Sequence, residues 1–151
     1  MLEPTPDLLT DILGSILQDT AFIFAEPSDE PEGWTPPVLV ARIAFESTRG
    51  GTLRLATSMP AAVEIAANML GLDMADAEAE EYGRAAVSEL LNVIGGSFLT
   101  RYFGTEVPSQ LGLPSTDLTD EPLPGPRTCA ATVRLESGEP LHLVLDLEAR
   151  E

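Results

Sequence analysis

The sequence predicts an α+β fold, in which an antiparallel sheet of about six strands packs against two long helices. Two observations predict this class. The segments with strand-like alternation come as hairpins rather than singly between helices, and helical patterns fill the start and the middle of the chain. At 151 residues the chain has the length of one domain. Residues 1–151 are therefore expected to form a single domain with its own core.

Three segments have the apolar spacing and the end signals of helices. The first begins at Thr5, a hydroxyl cap that is followed by a proline and an aspartate. The second begins after Ser58 and stops at Gly71. The third and longest covers about residues 76–103, and its acidic first turn suits the positive end of a helix dipole.

The strand patterns are shorter and more local. Two hairpins are predicted, one over residues 38–57 and one over residues 128–147. A short strand is predicted at 21–25, before an acidic Pro/Gly loop at 26–33. The Pro-rich stretch 107–126 is longer than an ordinary loop, so it is either functional or contains a short strand.

The charge balance excludes several classes of partner. There are 25 acidic residues and 8 basic ones, all of them arginine, which gives a formal net charge of −17. Such a chain repels the phosphates of nucleic acids and anionic lipids, so neither nucleic acid nor a membrane is expected as a partner. The absence of lysine also excludes Schiff-base chemistry and a P-loop lysine.

The single cysteine and the single histidine limit the chemistry further. Cys129 cannot form an internal disulfide and cannot build a zinc site with His142 alone. Cys129 is expected to pack as a small apolar residue, and His142 to lie on the polar face of its strand. The first residues lack the pattern of a signal peptide, and no apolar run is long enough to span a membrane. We therefore expect a cytoplasmic protein.

The longest helix carries the most informative residues. On a helical wheel one narrow stripe is apolar and forms the predicted core face; it consists of Val87, Leu91, Ile94 and Phe98. Glu89 and Asn92 are three residues apart, so their side chains are neighbours on one surface. That surface lies almost opposite the apolar stripe, and both polar groups are expected to point into solvent.

Small residues surround this polar pair, where an exposed helix face normally carries long charged side chains. They are Ala85, Ser88, Gly95 and Gly96. Each glycine inside a helix costs about 1 kcal/mol relative to alanine. Two interpretations remain open: the glycines allow close packing against the first helix, or the small residues form a shallow surface on which another protein docks.

The two halves of the chain echo each other weakly. Asp11 to Gly14 occupy the first helix much as Glu89 to Asn92 occupy the long one, and each helix precedes strands that include a hairpin. A degenerate duplication and a coincidence of short apolar segments both explain this pattern.

Residues 89–96, with the sequence ELLNVIGG, resemble the signature of the CheC/CheX/FliY family of bacterial chemotaxis phosphatases. That signature is a Glu-x-x-Asn on a long helix, with a proline some twenty-odd residues downstream, here Pro114. The CheX branch is the most similar, because residues 50–71 also resemble its hairpin and second helix. The similarity covers roughly residues 5–148. One departure is Ala85, where the family often has Asp or Ser.

The resemblance implies hydrolysis of the phospho-aspartate on a CheY-like response regulator. Asn92 would position the in-line water, and Glu89 would pair with a lysine of the receiver domain. The resemblance further implies a homodimer and no cofactor in this chain, with Mg²⁺ held by the regulator. The expected partner-docking surface consists of Ala85, Ser88, Gly95, Gly96 and Pro114.

Two other functions stay open from the sequence. The first is a non-catalytic relative, a receiver-binding or scaffold module that keeps the docking helix without turnover. The second is an unrelated acidic α+β domain in which Glu89 and Asn92 are ordinary surface residues.

Overall fold

Three α-helices pack on one face of a seven-stranded antiparallel sheet. The computed structural model describes residues 3–29, 34–121, 125 and 128–148. The helices are α1 (Pro6–Ala21), α2 (Met59–Leu70) and α3 (Glu80–Phe98). The strands are β1 (Ala25–Ser28), β2 (Val38–Glu46), β3 (Gly51–Ser58), β4 (Gln110–Leu111), β5 (Ser115–Thr119), β6 (Cys129–Leu135) and β7 (Pro140–Leu147). The predicted α+β class is confirmed.

The predicted starts of the first two helices are confirmed by their caps. The Thr5 hydroxyl accepts a hydrogen bond from the Leu8 N–H at 3.4 Å, and the Ser58 hydroxyl accepts one from the Ala61 N–H at 3.2 Å. Gly71 ends α2 in the left-handed conformation, with φ of 67°. Capping is local chemistry, which is why the sequence indicates these ends well.

The strand predicted at residues 21–25 is wrong in position. Phe22 is left-handed, with φ of 56°, and its N–H bonds back to the Leu17 carbonyl, so it ends α1 instead of beginning a strand. Extended pairing begins only at Ala25, the first residue of β1.

The long helical pattern is confirmed, although its ends are not α-helical. A 3-10 turn at Asp76–Glu78 precedes α3, and a π-helical turn at Leu99–Phe103 follows it. Gly104, with φ of 90°, ends the helical run. Phe45 of β2 packs with the rings of Phe98 and Phe103 under this end, at centroid distances of 5.5 and 6.2 Å.

Both predicted hairpins lie in the sheet, as β2–β3 and β6–β7. The sheet order is β1-β6-β7-β3-β2, and both β4 and β5 pair with the outer edge of β2. The Pro-rich stretch therefore contains two short strands, which brings the sheet to seven strands rather than about six. The described residues leave out 122–124 and 126 of that stretch, residue 127 after it, and 30–33 of the acidic loop.

The topology has the internal pattern that a duplication would leave. In each half a helix precedes a short strand and a hairpin: α1 precedes β1 and β2–β3, and α3 precedes β4, β5 and β6–β7. Each short strand pairs with the hairpin of the other half, and β3 and β7 meet at the centre. The weak echo in the sequence therefore coincides with an approximate two-fold arrangement of the fold.

Candidate functional site

The candidate site is the exposed face of α3, and the opposite face of that helix is anchored in the core. The predicted apolar stripe is buried: Val87, Leu91 and Ile94 are fully inaccessible and Phe98 nearly so. Leu90 and Ala86, outside the narrow stripe, are buried as well. The helix contacts β2, β4 and β5 on one side and α1 and α2 on the other. Such packing holds the backbone of α3 in one position.

Glu89 and Asn92 are both exposed, as the helical wheel predicts. They lie one helical turn apart, so their Cβ atoms are about 5–6 Å from each other. Within the described part of the chain, neither side chain makes a hydrogen bond or an ion pair. A carboxylate and a carboxamide that no described residue engages are thus presented together on a rigid support.

The small residues around this pair fall into two groups. Ala85 is exposed, and Ser88 and Gly96 are half-buried. A Cβ added at Gly96 would meet no atom within 4 Å, so intramolecular packing does not explain that glycine. Gly95 is different, because it is buried and a Cβ there would lie 2.8 Å from Cδ1 of Leu111. Gly95 packs against β4 rather than against the first helix, and it is not part of the exposed surface.

The two glycines should therefore respond differently to the same substitution. Gly96→Ala should raise the free energy of unfolding by up to about 1 kcal/mol, because alanine has the higher helix propensity and its methyl enters open space. Gly95→Ala should increase the free energy of unfolding by less than Gly96→Ala does, or decrease it, because the added methyl must displace Leu111 from the helix. Urea unfolding of both variants measures the difference; equal stabilisation by the two would contradict the packing of Leu111 on Gly95.

Pro114 lies in a segment that runs alongside α3. Leu111, at one end of this segment, packs on Gly95. At the other end the Arg84 guanidinium donates to the carbonyl and to the hydroxyl of Thr116, both at 3.0 Å. The helix rises about 16 Å over the eleven residue steps from Arg84 to Gly95, and five steps of extended chain, from Leu111 to Thr116, span about as much. Pro114 is thus held beside the stretch of α3 that contains Glu89 and Asn92.

The corresponding face of α1 lacks this arrangement. Asp11, which matches Glu89 in the sequence echo, is ion-paired to Arg101 at 2.6 Å. Gly14, which matches Asn92, has no side chain, although a Cβ there would meet no atom within 4 Å. At the two matched positions, α1 therefore lacks the free carboxylate and the carboxamide that α3 presents.

Sequence reasoning missed Arg84 and Leu111, which fix the neighbouring segment to the helix. Their roles depend on contacts with residues 32 and 16 positions away, at Thr116 and Gly95. The one available signal was Gly95, since a buried glycine in a helix marks a close approach by another segment.

The remaining sequence candidates lie elsewhere. Cys129 is buried in the core as predicted, and its burial, with a smaller contribution from the charge of Glu3, raises the pKa of its thiol from 9.0 to about 11. His142 lies on the outer face of the sheet, where its Nδ1 is 2.7 Å from the hydroxyl oxygen of Thr132.

Among the described residues no group of three or more His, Cys, Asp or Glu side chains is arranged to hold a metal ion. None of the helices in that part of the chain is long and apolar enough to cross a membrane.

Comparisons with known structures agree on the fold. Solved structures superpose over almost the whole chain. They include a chain of the CheX–CheY–BeF3–Mg²⁺ complex from Borrelia burgdorferi (TM-score 0.68, 17% identity, 95% of this chain and 97% of that chain). Also similar is CheX from Vibrio vulnificus, with a TM-score of 0.71 and 14% identity over 94% of this chain and 95% of that chain. A putative chemotaxis protein from Desulfovibrio vulgaris Hildenborough superposes with a TM-score of 0.72 and 18% identity, again over 94% of this chain and 95% of that chain. No curated protein sequence matches significantly.

The family model described as chemotaxis phosphatase CheX matches residues 39–123, which is more than half of the chain. The match includes α2, α3, β4 and β5, and hence every residue of the candidate site. The chain therefore belongs to the CheX family of chemotaxis phosphatases.

Proposed function

We propose that this protein hydrolyses the phospho-aspartate of a CheY-like response regulator through Asn92 and Glu89. The observation that carries the proposal is the exposed pair itself: two polar side chains one turn apart, with no partner among the described residues, on a helix whose other face is buried. Membership of a phosphatase family supplies the reaction class. The B. burgdorferi complex, in which CheX is crystallised with CheY, supports the choice of partner.

In this mechanism Asn92 orients the attacking water. An acyl phosphate is already activated, so the phosphatase need only hold water in line with the bond that breaks. Water oxygen bonds to phosphorus, the bond to the aspartate oxygen breaks, and inorganic phosphate leaves the regenerated carboxylate. A carboxamide suits this task, because it both accepts and donates hydrogen bonds without changing its charge. The Mg²⁺ that stabilises the phosphoryl group belongs to the regulator.

Glu89 serves a different purpose, which is to anchor the regulator. Its carboxylate would pair with a receiver lysine and align the two proteins. Glu89→Gln should therefore raise the half-saturating concentration of regulator as well as slow turnover, whereas loss of a group acting only on water would leave that concentration unchanged. Steady-state rates over a range of phosphorylated regulator separate the two effects.

The competing function is a receiver-binding module without turnover, which the alanine at position 85 keeps open. The test compares the decay of phosphorylated receiver domains from the same organism with and without the protein. Faster decay supports the phosphatase. Binding of a phosphorylated receiver without faster decay establishes the binding module instead. If the protein neither binds any receiver nor accelerates its decay, both functions are contradicted.

We also propose a homodimer that forms through the free edge of β1. Among the described strands, β1 pairs only with β6, and Phe22 and Phe24 beside it are 76% and 60% exposed. Pro27 is one residue of β1 that lacks a backbone donor, and burial of the aromatic rings would offset this loss.

Sedimentation at micromolar concentration should detect this dimer. Salt should favour it, because the charge of −17 repels between subunits. Phe24→Glu should give a monomer, since it places two further charges in the contact. A wild-type monomer at all salt concentrations would contradict the dimer.

A cytoplasmic location remains a prediction from the sequence.

A further inference from the structure

The edge strand next to α3 is broken by a one-residue bulge. β4 pairs Leu111 with Phe45 of β2, whereas β5 pairs Ser115 with Arg42. Between these pairs β2 has two residues, Ile43 and Ala44, and the edge has three, residues 112–114. One residue of the edge strand is therefore unpaired. Bulges occur preferentially on sheet edges and next to functional sites, where they redirect a side chain.

The bulge is firmly held at both ends. On one side the Gly112 N–H donates to the Ala44 carbonyl at 2.8 Å, and a Cβ at Gly112 would lie only 3.2 Å from that carbonyl oxygen. On the other side Arg84 holds Thr116. Leu113 and Pro114 are thus presented by a short segment with fixed ends, which limits the conformational entropy lost when a partner contacts them.

Leu113 is 93% exposed, the highest value for a large apolar side chain among the described residues. A single exposed leucine is ordinary on a protein surface, but this one is set beside the candidate site. At about 100° per residue, the positions of Arg84 and Gly95 on α3 lie within about 20° of each other and face β4 and β5. Asn92 lies about 60° beyond Gly95, and Glu89 about 120° beyond it. Asn92 is thus between the bulge and Glu89.

The charge of this region allows the approach of an anionic partner. In a chain of net charge −17, residues 110–116 contain no charged side chain, and on the exposed face of α3 from Ala85 to Gly96 the one charge is that of Glu89. A receiver that carries an acyl phosphate is itself negative where it must approach. A neutral, partly apolar surface meets it without the repulsion that most of this protein's surface would cause.

We propose that Leu113 is the apolar anchor for the phosphorylated receiver domain, flanking Asn92 on the side opposite Glu89. This inference rests on the proposed function and adds to it the residue that supplies apolar contact. Leu113 would be buried in the complex, whereas the polar pair would face the phosphoryl group. Removing this apolar side chain from water on binding would contribute to affinity, because a few desolvated residues carry most of the binding energy of an interface.

Binding of a beryllofluoride–Mg²⁺-activated receiver tests the inference without depending on turnover. Leu113→Ala should raise the dissociation constant roughly tenfold or more, and Leu113→Met should stay within about threefold of wild type, because it keeps the apolar area. Leu70→Ala is the matched control. Leu70 is 44% exposed at the end of α2, where Asn68 donates to the Ala21 carbonyl of α1, away from β4 and β5. In steady-state decay, Leu113→Ala should raise KM and leave kcat unchanged.

The outcomes separate this inference from the proposed function. If wild type and Leu113→Ala bind the activated receiver equally, Leu113 is not the anchor, while the phosphatase stands. A fall in kcat at unchanged KM also overturns the docking role. A change in sedimentation caused by Leu113→Ala assigns the side chain to a second copy of this chain instead. If wild type binds no receiver of the organism, both the proposed function and the anchor fail.

Discussion

Replacing Asn92 by alanine is expected to slow the decay of the phosphorylated regulator to its unassisted rate, a loss of about a hundredfold or more in kcat. The expectation follows from the mechanism, because the receiver holds the phosphoryl group and this chain contributes the position of water. Without Asn92 that water is misplaced, and the protein loses most of the acceleration of hydrolysis that it provides. Decay of the acyl phosphate, followed with saturating wild-type or variant protein, measures the effect.

The fold of Asn92→Ala should be unchanged. Asn92 is exposed and makes no hydrogen bond within the described residues, so its truncation should change the free energy of unfolding by no more than about 0.5 kcal/mol. Affinity for the activated receiver should persist, because Glu89 and Leu113 remain. If the variant accelerates decay as well as wild type does, the mechanism is wrong even though the family is right.

The helices and the polar pair were predictable because their determinants are local. Caps at Thr5 and Ser58 and the glycine at the end of α2 act within one turn of their own helix. The positions of Glu89 and Asn92 follow from helical period alone, once the apolar stripe is recognised as the core face. Such features need no knowledge of distant segments.

The edges of the sheet were not predictable in the same way. β4 has only two residues and β5 five, and both lie in a Pro-rich stretch whose local preference is for turns. They are extended because β2 supplies their hydrogen-bond partners, and β2 is about seventy residues earlier in the chain. The bulge at Leu113 is a mismatch in register between two segments, so no single-segment pattern can reveal it.

Leu91→Ala should strongly destabilise the protein, because it truncates the core face of the helix that carries the site. Leu91 is fully buried beside its exposed neighbour Asn92. Truncation of a buried leucine removes its transfer energy and leaves a cavity, which together cost about 2–5 kcal/mol. That is a large part of the roughly 5–15 kcal/mol that stabilises a domain of this kind. The melting temperature should fall by roughly 4–20 °C.

Leu113→Ala is the matched control, since it makes the same substitution on a side chain that is 93% exposed. It should change the free energy of unfolding by no more than about 0.5 kcal/mol. Urea titration of the two variants measures both values, and equal losses of stability would mean that Leu91 is not part of the core.

Leu91 supports Asn92 through the helix backbone and does not touch the regulator. Leu91→Ala should therefore keep phosphatase activity at temperatures well below its own unfolding transition, and lose that activity together with the fold. If the variant loses activity while it is still folded, the packing of the apolar face of α3 also determines the exact position of Asn92.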